Sequence, residues 1–90
     1  MKLTYSVIKH NINGKDITFT IVIVNSLITN YTTRIIQCRN ELSQFFPYMS
    51  IILMSYNKNQ QHHFYGRKDI VDFLQTIKLE QIPWKTLTIV

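Results

Sequence analysis

The sequence predicts an α+β protein: a single two-layer domain, residues 1–90, with two helices on one face of a mixed sheet of four to five strands. Three observations predict it. Asp16 to Val24 is an almost unbroken run of β-branched and aromatic residues, types suited to a pleated, half-buried surface. Asn25 to Phe46 carries apolar residues at helical spacing. Hydrophobic content of 46% with only two Gly and two Pro provides one core and no linker to a second domain.

The elements follow in order. Lys2 to Lys9 alternates Leu3, Tyr5 and Val7 with Thr4 and Ser6, the period of a half-buried strand. Asn13-Gly14 then marks a hairpin. A two-residue loop would set Tyr5 opposite Val22 and Val7 opposite Thr20, mixing polar and apolar on each face. A three-residue loop, Ile12-Asn13-Gly14 with Gly14 left-handed, sets Leu3 by Ile23, Tyr5 by Ile21 and Val7 by Phe19. One coherent apolar face favours the three-residue loop. In the Asp16–Val24 strand, the last four residues are apolar on both faces, as in a strand covered on both sides or central in its sheet.

Asn25 or Ser26 caps the first helix. Its stripe is Ile28, Tyr31, Ile35, Cys38, Leu42 and Phe45, and Pro47 ends it. Tyr48 to Tyr56 reads as a buried strand, Asn57 to Gln60 as a turn, and Gln61 to Gly66 as a short antiparallel return. A second helix spans Arg67 to Ile77, with Ile70, Phe73, Leu74 and Ile77 on one face. Trp84 to Val90 alternates as a last strand. The order is β-β-α-β-β-α-β. Without the first strand it is the ferredoxin-like plan, in which both edges of the next strand are already taken. Either the hairpin displaces the last strand, or the His62 segment is not a strand.

Composition bounds function. Net charge is +5, from ten basic and five acidic residues, a field that attracts polyanions or acidic protein surfaces, or that serves solubility alone. The chain has no run long enough for a membrane helix. No apolar signal segment precedes Lys9, and one Cys forms no internal disulfide, so a cytoplasmic protein is expected. Ala is absent while Ile, Asn, Thr, Lys and Tyr abound, a bias of AT-rich genomes such as those of many viruses and mobile elements.

Chemistry-bearing clusters are sparse. His62 and His63 are adjacent on a strand and point to opposite faces, so they do not share a metal. Cys38 sits in the helical stripe as a small buried hydrophobe. Asp69 and Asp72 share a helix face near its N-terminus, where carboxylates stabilise the helix. From Pro47 to Ile77 the succession of a Pro, a strand, a polar hairpin, a Gly and a helix resembles the C-terminal half of a thioredoxin-like domain. The Cys-x-x-Cys of that family is missing: Asn25-Ser26-Leu27-Ile28 stands where a strand enters the first helix. No enzyme activity, cofactor or metal is expected.

The leading expectation is a small non-enzymatic protein that contacts nucleic-acid backbone without base specificity. It would do so through Lys9, Lys15, Lys58, Arg67 and Lys68, which merge into one patch if both hairpins point the same way. The rival is a protein-interaction module, either a homodimer or a viral or mobile-element inhibitor that docks on a host protein. Its marks are an edge strand at Trp84–Val90 and Trp84 as an aromatic anchor.

Overall fold

The computed structural model describes residues 2–88 of the chain. The elements are β1 (Lys2–Ile12), β2 (Lys15–Ile23), α1 (Ser26–Thr29), α2 (Thr32–Leu42), β3 (Ser50–Tyr56), β4 (His62–Tyr65), α3 (Lys68–Leu74), a 3-10 turn at Leu79–Gln81, and β5 (Lys85–Thr88). The α+β class and the element order are as expected, with the first helix broken in two. Ile89 and Val90, part of the expected last strand, lie outside the described residues. Among the described residues, no helix is long and apolar enough to cross a membrane.

All five strands form one mixed sheet in the order β4-β3-β2-β1-β5. Among the described residues, only β2 and β3 run parallel. β1 takes one flank of β2 and sends β5 to its own far side, so the hairpin displaces the last strand. This is not a ferredoxin-like sheet: that plan splits its β-α-β strands apart, whereas here β2 and β3 are neighbours.

The expected single helical face is corrected by the packing. Phe19 and Ile21 of β2 join Ile52 and Met54 of β3 in one core with Ile70 and Leu74 of α3. Val22, Ile51 and Leu53 face the other way, into a second core with Leu42 and Phe46. Strands apolar on both faces need cover on both, and each such side chain gains about 1.5–3 kcal/mol from burial. The domain therefore has three layers, with α1 and α2 on one face and α3 with the 3-10 turn on the other.

The same cause corrects the hairpin. Ile12 pairs with Lys15 across a two-residue Asn13-Gly14 loop, and Tyr5 faces Val22. Both loop residues have positive φ, 54° and 85°, as a type I′ turn requires. With both faces covered, Tyr5 and Val22 serve one core while Ile8 and Phe19 serve the other, and no single apolar face is needed.

Asn25 caps α1, its Oδ1 accepting from the Leu27 N–H at 2.8 Å. The helical stripe holds at Ile28, Ile35, Cys38 and Leu42. It fails at both breaks: Tyr31, extended between α1 and α2, and Phe45 are exposed, and Phe46 is buried in Phe45's place. Tyr48 is likewise no strand residue but a fully exposed side chain with φ 64°.

Candidate functional site

β1 is eleven residues long, but β5 covers only its first part, pairing Lys2 to Tyr5 with Thr88 to Lys85. The closing Ile12–Lys15 pair sets the alternation of hydrogen bonds along the hairpin. Even-numbered residues of β1 bond to β2, and odd-numbered ones aim their N–H and C=O outward. Leu3 and Tyr5 use theirs on β5. Beyond them, Ser6 Oγ donates to the Pro83 carbonyl at 3.1 Å, and the incoming chain turns away. Val7, Lys9 and Asn11 are exposed, and among the described residues no strand pairs with them on that side.

A groove of about 410 Å³ runs beside this open edge. Its walls are Val7 to His10 on one side and Phe73, Ile77, Gln81, Ile82 and Pro83 on the other. The α3 side is held by packing: the His10 ring stacks on Phe73, with centroids 4.2 Å apart, and Phe73 meets Phe19 edge-on at 6.4 Å. An apolar floor beside outward backbone groups is the arrangement that accepts an added strand.

The basic residues singled out from sequence do not all converge. Because β2 and β3 are parallel, the β1–β2 and β3–β4 turns lie at opposite ends of the sheet. Lys58, His62 and His63 are at one end; Lys15, Arg67 and Lys68 are at the other, with Lys9 partway along β1. Arg67 Nε lies 2.8 Å from Asp69 Oδ1, and Lys68 Nζ lies 3.2 Å from Asp72 Oδ2. Asp69 and Asp72 line a groove with Asn11, Ile12 and Asn13 at that end, so it carries both signs of charge. Arg39 Nε is spent on the Ile51 carbonyl at 3.1 Å.

Trp84, the expected anchor, is half-buried against the α3-side core just before β5. β5 is an edge strand, as the protein-binding reading expected. The wider opening is on β1, and no pattern in the sequence marks it, because it depends on how far β5 runs along β1.

His62 and His63 carry aromatic and amide contacts. His62 meets Phe64 at 5.3 Å and Tyr56 at 6.5 Å, and His63 Nε2 lies 3.3 Å from Asn57 Nδ2. Among the described residues no three His, Cys, Asp or Glu side chains gather as metal ligands. Burial, and then the charge of Glu41, push the Cys38 thiol up, opposite to what a nucleophile needs.

Compared with protein-family models, curated proteins and solved structures, the chain matches none.

Proposed function

We propose that this protein is a non-enzymatic, cytoplasmic protein-interaction module that captures an extended segment of a partner as an added strand. One observation carries the reading: the open edge of β1 from Val7 to Asn11, beside an apolar groove. Strand addition draws affinity from main-chain hydrogen bonds and specificity from alternate side chains. The edge offers three outward residues for the first and the groove for the second.

Contact with nucleic-acid backbone through Lys9, Lys15, Lys58, Arg67 and Lys68 is the weaker reading. Two of these five cations already face carboxylates, and Lys58 stands at the far end of the sheet from Lys15, Arg67 and Lys68. A salt series with a short single strand and a duplex separates the two: backbone binding weakens linearly in log salt with a slope of several charges.

The deciding test is selection from a random heptapeptide library against the wild type and against Lys9→Pro. Proline at position 9 removes an outward N–H and keeps the bonds to β2. Peptides that bind the wild type and lose Lys9→Pro support the reading. Peptides that bind both equally place the site elsewhere.

A further inference from the structure

We infer that the segment captured on β1 is an extended peptide with a carboxylate opposite Lys9 and apolar residues on the alternate positions, and not a second copy of this chain. The inference rests on the strand-addition reading and adds the partner's chemistry.

Charge on the edge selects the partner. Lys9 is the central outward residue of the open stretch and forms no ion pair among the described residues. Among the described residues, no carboxylate side chain lines the groove beside it. The acidic residue on the neighbouring strand, Asp16, lies opposite Asn11 and accepts from its Nδ2 at 3.2 Å. An added strand therefore meets a cation at its centre and amides or apolar groups on either side.

The same residue argues against self-pairing. An antiparallel pair of β1 edges that uses Val7, Lys9 and Asn11 of both copies has its two-fold centre at position 9, so Lys9 stands directly opposite its own copy. Like charges directly opposite are destabilising, and edge lysines are a known guard against sheet-to-sheet association. A carboxylate at that position turns the repulsion into a cross-strand ion pair.

The other face of the incoming strand is set by the groove. Side chains alternate along a strand: those beside Val7 and Lys9 lie on the α2 side of the sheet, and those beside Ile8 and His10 on the α3 side. The α3-side positions meet Ile8, Phe73, Ile77, Ile82 and Pro83, which favour apolar side chains. The pattern is apolar–acidic–apolar at a period of two.

The test uses the full chain and three capped pentapeptides, Thr-Ile-X-Ile-Thr, with X as Glu, Gln or Lys. Binding is read from the amide NMR signals of the protein. The expected result is that the Glu peptide shifts the Val7, Lys9 and Asn11 signals more than those of Ile8 and His10. It should bind about 3- to 10-fold more tightly than the Lys peptide, the swing a cross-strand charge pair gives. Lys9→Glu should reverse that order. If all three peptides shift the three amides with equal affinity, the edge captures strands and the acidic preference is wrong. If none shifts them, strand addition itself is wrong. A concentration-dependent dimer that Lys9→Pro dissociates would assign the edge to a second copy and overturn the inference.

Discussion

The hydroxyls of Thr29 and Ser55 lie 2.7 Å apart in a buried position, and they tie the end of α1 to the end of β3. Thr29 Oγ1 also donates to the Ser26 carbonyl at 3.2 Å, so the Ser55 hydroxyl is the donor to Thr29. The relay satisfies both buried hydroxyls and fixes how the first helix sits on the parallel strand pair.

Thr29→Val strands the Ser55 hydroxyl and should cost about 1–3 kcal/mol. Adding Ser55→Ala should restore much of that, since the Ser26 carbonyl still accepts from the Asn30 N–H. Urea unfolding of the two single variants and the double variant measures the coupling. Strictly additive losses would show that the hydroxyls act independently.

Gly66, between β4 and α3, is held by contact. A Cβ there would meet Ile52 Cδ1 at 2.5 Å and the Ile51 carbonyl oxygen at 3.2 Å. Gly66→Ala should therefore destabilise by about 1–3 kcal/mol, the usual cost of overpacking. Ile52→Val removes the offending methyl, so the double variant should lose less than the sum of the singles in thermal unfolding. A Gly66→Ala variant as stable as the wild type would mean the close approach relaxes freely.

Tyr48 holds φ 64° with its side chain fully exposed. Its ring gains nothing from packing, and its backbone sits where side chains are disfavoured. Tyr48→Asn should raise stability by about 0.5–1 kcal/mol, because Asn tolerates the left-handed region. A drop in the urea midpoint would instead reveal that the tyrosine does something for the fold.

Cys38 links stability to pH. Burial, and then the charge of Glu41, raise its thiol above the ordinary cysteine value. The unfolded chain then loses this proton at lower pH than the native one, so the contribution is fully present below about pH 9 and is lost as pH rises through the native value. Between pH 8 and 10.5 the wild type should lose stability more steeply than Cys38→Ala. Parallel curves for the two proteins would remove the link.

These positions divide what the sequence reveals from what it hides. β2 is legible from its run of β-branched and aromatic residues, β3 from the apolar run Ile51–Met54, and α2 from the spacing of Ile35, Cys38 and Leu42. Runs apolar on both faces also held the clue to three layers, yet periodicity alone does not say which face a helix takes. A single apolar face selects the wrong hairpin register, because both faces of the hairpin are covered. Scattering of the cations follows from the parallel pairing of β2 with β3, a long-range choice that no local pattern records. The open edge is hidden for the same reason: it depends on where β5 stops beside β1.

That edge makes a positional prediction about proline that needs no partner. Lys9 aims its N–H away from the sheet and His10 aims its N–H at Ile17 on β2. Proline suits an edge where its missing donor faces solvent, and it breaks a ladder where the donor is used. The residue before it must be extended, which Ile8 and Lys9 both are. Lys9→Pro should therefore change stability by no more than about 1 kcal/mol, while His10→Pro loses a ladder bond and its stack on Phe73 and should cost about 3 kcal/mol or more. Circular dichroism and urea midpoints of the two variants decide it. Equal damage from both would falsify the alternation along β1, and the open edge with it.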